Sequence, residues 1–190
     1  MSKYIQRYKD IFAGKPFLRN GEEVTIKTGP VFDGSGTRKV FSRLQEEISK
    51  RDSVNILDFG SGNGTHWHHR VFFPNAKDKA NFPEYIGTRL RGFYRYDPAH
   101  PTFHIKPEGK FDIVICTEVL EHVPVEELPS LLTEISELMD TDAIALFSVP
   151  KELSKNAFVD GENLHCTLMP EEEWIELIGT YIDNFFLQQH

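Results

Sequence analysis

Apolar positions along the chain change their period several times, and each change marks an element. Residues up to 36 are rich in glycine and mixed charge, punctuated by Gly14, Gly21, Gly29, Gly34 and Gly36, a pattern suited to a cover or lid over a body formed by residues 37–190. Val40, Phe41, Leu44 and Ile48 then fall on one helical face with Arg43, Glu46, Glu47 and Lys50 outside, which predicts a helix over 37–50. Short apolar runs at 54–59, 93–96, 111–116 and 143–149 read as strands. The run at 111–116 is apolar apart from Asp112, as a strand covered on both faces should be. Helical spacing returns at 124–139, through Leu128, Leu131, Leu132, Ile135, Leu138 and Met139, and again at 170–178. Glu171, Glu172 and Glu173 occupy the first turn of that last helix, where the macrodipole favours acids, and an apolar run at 181–187 follows. Alternating strands and helices predict an α/β domain, a three-layer sandwich around a mostly parallel sheet of about six strands.

The most informative segment is Asp58-Phe59-Gly60-Ser61-Gly62-Asn63-Gly64-Thr65. Glycines at a strand-to-helix turn let a ligand approach bare backbone. Thr65 stands where a dinucleotide fingerprint needs its third glycine, and no lysine completes a phosphate-binding P-loop. The spacing Asp-x-Gly-x-Gly-x-Gly resembles that of class I S-adenosylmethionine-dependent methyltransferases, whose fold is Rossmann-like. The resemblance implies S-adenosyl-L-methionine as cofactor, held by Asp58, Gly60, Ser61, Gly62 and Gly64. It implies that Asp97, followed by Pro98, ends the second strand and takes the ribose hydroxyls, a task for a carboxylate that accepts two hydrogen bonds. It also makes 111–123, including Thr117, Glu118, Glu121 and His122, the fourth-strand signature beside the transferred methyl. The wider pattern, with Asp160-Gly161-Glu162-Asn163-Leu164-His165, is similar to a small, little-characterised group of bacterial and phage methyltransferases.

Two lengths depart from the family. The stretch from Gly64 to Asp97 is long, its surplus including His66, His68, His69 and Phe72-Phe73-Pro74; that from Asp97 to Phe111 is short, so the third strand and helix are abbreviated. The candidate catalytic groups are His122, His165 and Glu118, with Glu121 a weaker one. The two histidines follow consecutive strands, so they emerge at one sheet edge, and an ordinary imidazole titrates near neutrality, as a general base should.

Composition narrows the function. With 190 residues and a net charge of -8, the chain is one acidic domain, which disfavours nucleic acid and anionic membrane as partners. Two cysteines exclude a disulfide scaffold and suit a reducing cytoplasm. Adjacent His66-Trp67-His68-His69 diverge on a helix, so no metal site is expected there, and Cys166 beside His165 lacks an activating third group. The expected activity is O- or N-methylation of a small-molecule or glycan-like acceptor. The alternatives are a non-catalytic module that binds S-adenosylmethionine or scaffolds a partner, and a nicotinamide-dependent oxidoreductase. A nucleic-acid methyltransferase is disfavoured by the charge and by the lack of an Asn/Asp-Pro-Pro-Tyr-type tetrapeptide.

Overall fold

The computed structural model describes residues 3–26, 32–69 and 78–190. Its centre is a five-stranded parallel sheet made of β3 (Val54–Phe59), β4 (Leu90–Tyr96), β5 (Phe111–Thr117), β6 (Met139–Val149) and β8 (Phe185–Gln189). The strand order is β4-β3-β5-β6-β8, giving the Rossmann-like α/β architecture. Two-residue alternation decides which layer each strand residue serves. Leu57, Phe59, Val114, Cys116, Ala145 and Phe147 face α4 (Leu128–Leu138) and α5 (Glu171–Gly179). Ile56, Ile113, Ile115, Ile144 and Leu146 face α2 (Phe41–Ser49), through Leu44 and Ile48.

A second, antiparallel sheet lies outside this body, in the order β2-β1-β7. It joins β1 (Phe17–Arg19) and β2 (Glu22–Val24) to β7 (Asn156–Ala157), in the segment that follows β6. Before it runs α1 (Lys3–Phe12), anchored by Arg7, which pairs with Asp160 at 2.7 Å and Glu162 at 2.5 Å, and by Tyr4, which donates to Glu162. Ile11, Phe17, Phe158 and Leu164 form a small apolar cluster beneath.

Several sequence expectations need adjustment. Among the described residues the central sheet has five strands, near the expected six, and all are parallel. The helix over 37–50 is split: a 3-10 turn (Ser35–Lys39) precedes α2, with Thr37 fully buried and its hydroxyl 3.5 Å from that of Thr117. Residues 124–127 form a turn before α4, and Met139 opens β6 by pairing with Phe111. The segment at 97–110 contains turns only, in keeping with an abbreviated third strand and helix. Phe72-Phe73-Pro74 and Gly29 lie outside the described residues.

Candidate active site

β3 is where the chain's path across the sheet reverses: β4 lies on one side of it and β5 on the other. In open α/β sheets such a switch point opens a crevice at the carboxyl ends of the strands. A cavity of about 740 Å³ lies there. It is lined by Phe59, Gly60, Ser61 and Gly62 at and after the end of β3, Tyr96, Asp97, Pro98 and Ala99 at and after the end of β4, and Thr117 and Glu118 at and after the end of β5. Tyr8, Phe12 and Phe32 from the N-terminal segment lie on its wall, as do His122 and His165.

The glycine loop is shaped by left-handed backbone at Gly60, Gly62 and Gly64, with φ of +73°, +56° and +58°. The amides of Gly60 and Ser61 donate to the Tyr96 carbonyl at 2.7 and 3.2 Å. Asp97 completes the clamp: one carboxylate oxygen accepts from the Gly62 amide at 2.9 Å, the other from the Ala99 amide at 2.8 Å. Burial raises the Asp97 pKa, and these two amides oppose the rise. A carboxylate has about four acceptor positions, so capacity remains for a ligand.

The structure does not bring all the expected cofactor residues to the cavity. Gly60, Ser61, Gly62, Asp97, Pro98 and Thr117 line it; Asp58 and Gly64 do not. Asp58 points into the core, where its carboxylate accepts from the Trp67 indole N–H at 2.6 Å, and burial pushes its pKa up to about 7. Trp67 thus has a structural task, packed on Phe82 and Phe93 at ring-centre distances of 4.5 and 4.9 Å. The surroundings of Gly62 also differ from a bare ligand surface. A Cβ there would sit 2.1 Å from the Phe32 carbonyl oxygen, which already accepts from the Asn63 amide at 2.8 Å. The N-terminal segment, rather than open ligand space, is what requires glycine at this position.

Glu118 adopts a left-handed backbone conformation, φ +57°, that non-glycine residues rarely take. Ser148 and His190 hold its carboxylate at 2.8 and 2.7 Å. The two histidines converge as expected, with ring centres 5.0 Å apart. His122 is not, however, poised near neutrality: burial, aided by His165, drives its pKa down to about 3. Its Nδ1 lies 2.9 Å from the Leu164 carbonyl and 2.8 Å from the Tyr8 hydroxyl. A carbonyl only accepts, so the proton is on Nδ1 and Nε2 carries the lone pair.

Tyr8 and Phe32 are site residues that no motif announced; the helical spacing of Tyr4, Tyr8 and Ile11 in α1 was the available signal for the first. Phe32 lies edge-on to Tyr8 at 5.8 Å and within 6.3 Å of His122. Glu121, expected only as a weaker catalytic candidate, has unusual surroundings. It is fully buried, and neither carboxylate oxygen has a hydrogen-bond partner; burial, with the Glu118 charge adding to it, raises its pKa well above the ordinary range. Its adjacency to His122 was the available signal.

A family model described as a methyltransferase domain matches residues 34–181. The chain belongs to this methyltransferase family. The match begins at the glycine turn before α2 and ends after α5, so α1, β1 and β2 lie outside it. Searches of curated proteins and of solved structures return no match. Members of the family generally use S-adenosylmethionine, and the protein is accordingly an S-adenosylmethionine-dependent methyltransferase. The cavity's donor set fits that cofactor. Asp97 has spare acceptor capacity for hydroxyls, Phe59, Tyr96, Pro98 and Ala99 offer apolar faces, and the volume suits a ligand of nucleoside size.

Proposed function

We propose that this methyltransferase methylates a hydroxyl or amine of a small-molecule or glycan-like acceptor, with S-adenosylmethionine bound across the glycine loop. The observation that carries the reading is a single cavity with the Asp97-clamped loop on one side and Glu118, His122 and His165 on the other. When bound, the cofactor supplies an electrophilic sulfonium methyl. The chain's own residues then hold the two reactants in line. Asp97 accepts from the ribose hydroxyls, while Gly60, Ser61 and Gly62 keep the loop backbone close to the ligand. Tyr8, Phe12 and Phe32 line the cavity from the cover side, where apolar rings exclude water. Thr117 and Glu118, at the end of β5, position the acceptor end.

A small or glycan-like acceptor is supported by the net charge of -8 and by acidic Glu118, Glu127 and Glu134 on the cavity wall, an arrangement hostile to a phosphate backbone. Labelled S-adenosylmethionine incubated with host extracts, fractionated into glycans, small metabolites and nucleic acid, tests this. Label is expected in one of the first two fractions. Label confined to nucleic acid would overturn the acceptor class and leave the methyl-transfer reading intact.

A further inference from the structure

At the acceptor end of the cavity, Glu121, His122 and His165 offer ligand atoms that all lie within 4.8 Å of one another. Three independent features single out this cluster. A fully buried carboxylate with no hydrogen-bond partner costs several kcal/mol when charged, unless a cation faces it. Both imidazoles are fixed in the tautomer a metal requires. His122 donates from Nδ1 to the Leu164 carbonyl at 2.9 Å, and His165 donates from Nδ1 to the Glu152 carbonyl at 2.7 Å. Such backbone carbonyls are the usual outer partners of metal-bound histidine, and they leave both Nε2 lone pairs free. The spacing is also compact: His122 Nε2 is 3.7 Å from a Glu121 oxygen, and the three ligand atoms lie within 4.8 Å of one another. Bonds of about 2.0–2.2 Å to a common ion place neighbouring ligand atoms roughly 3–3.5 Å apart, so a small inward shift completes the set.

We propose that Glu121, His122 and His165 bind a divalent transition-metal cation that accepts mixed nitrogen and oxygen ligands, such as Zn²⁺, Co²⁺ or Mn²⁺. Two nitrogens and one carboxylate satisfy three positions and leave further positions open, the arrangement of a catalytic rather than a structural site. His122 and His165 line the cavity, so the open positions face the acceptor. The ion's role rests on the methyl-transfer reading: an acceptor hydroxyl bound to it loses its proton to solvent more readily. The freed oxygen pair then forms the O–CH₃ bond, and the C–S bond breaks with its electrons staying on sulfur. The sulfonium becomes a neutral thioether, and one proton is released overall.

The full-length protein, stripped with a chelator and dialysed, is titrated separately with Zn²⁺, Mn²⁺ and Co²⁺ by calorimetry, and with Co²⁺ by visible absorption. One cation per chain is expected, with the cobalt spectrum of a nitrogen–oxygen site. Glu121→Gln and His165→Gln should each weaken binding by about 10-fold or more. His165, on the cavity wall, is less tied to packing than Glu121, so its variant decides the matter if Glu121→Gln fails to fold. His69→Gln, at an exposed position, should leave binding unchanged. Absence of stoichiometric uptake, or uptake lost in His69→Gln and kept in His165→Gln, overturns the site. S-adenosylhomocysteine binding is measured on the stripped protein as a separate arm, and its loss would count against the cofactor reading rather than the cation. Turnover indifferent to chelation in a protein that does bind the ion would overturn the acceptor role.

Discussion

At the scale of single residues, the two informative glycines differ in what crowds them. Gly62→Ala would put a methyl 2.1 Å from the Phe32 backbone oxygen, whereas at Gly64 it would meet the end of the Arg95 side chain at 2.7 Å, which can swing away. Both pay the left-handed penalty of about 1–2 kcal/mol; only Gly62→Ala must also move a backbone. Gly62→Ala should therefore be the more destabilised by at least about 1 kcal/mol in thermal or urea melts, and equal losses would show that Phe32 yields freely. Asp58 gives a pH prediction whose sign follows from its raised pKa. Unfolded, this carboxyl titrates near 3.8; folded, near 7. Between those values the native state holds a proton that the unfolded chain has lost, so its contribution falls as pH rises through this window and is flat above it. Asn keeps an acceptor for the Trp67 N–H and does not titrate. From pH 5 to 8 the native chain should lose about 2–3 kcal/mol more stability than Asp58→Asn, two units at about 1.4 kcal/mol each. Parallel stability curves for the two proteins would remove Asp58 from the account.

At the scale of elements, the cover and the sheet are held by different forces. The strands and α4 are fixed by apolar side chains with almost no exposure, such as Leu57, Val114, Leu128, Leu132 and Phe147. α1 depends on Arg7, which reaches two partly exposed carboxylates and stacks 3.5 Å above the Phe158 ring. Such pairs contribute roughly 1 kcal/mol or less each. Arg7→Ala should thus raise amide exchange in α1 by several-fold and leave β3, β5 and β6 protected; uniform acceleration throughout would mean that cover and sheet open together. This division also explains what the sequence disclosed. Strands β3 and β5 were legible because both faces are buried, so their apolar runs are nearly unbroken, and the glycine loop was legible because its backbone needs left-handed φ. The place of the N-terminal segment was not, because Tyr8 reaches His122 and Leu164 and Phe32 reaches the Gly62 loop, and no local period encodes those partners. Glu121 was legible only as a weaker catalytic candidate beside His122, and only the fold reveals that it is buried without a hydrogen-bond partner.

At the scale of the whole molecule, the cavity is bounded by two bodies, the parallel sheet with its loops and the α1 cover with Phe32, joined by β1–β7 pairing and the Arg7 contacts. A ligand that touches both bodies binds the closed native state and has little affinity for the unfolded chain. Mass action then converts affinity into stability: at a free concentration one hundred times its dissociation constant, such a ligand adds about 2.7 kcal/mol. For a chain of this size about 2–4 °C accompanies each kcal/mol, so S-adenosylmethionine or S-adenosylhomocysteine should raise the melting temperature by roughly 5–11 °C. NAD should not, because Thr65 stands where a dinucleotide loop needs its third glycine. Asp97→Ala separates its two duties. Losing hydrogen bonds from ribose to a charged acceptor costs about 1.5–3 kcal/mol of affinity, and losing the Gly62 clamp also loosens the loop without ligand. The variant should therefore melt lower than the native protein on its own and gain little from the cofactor. A variant that melts lower yet keeps the full ligand-induced rise would make Asp97 a loop clamp alone, and a melting shift with NAD in the absence of one with S-adenosylhomocysteine would overturn the cofactor assignment.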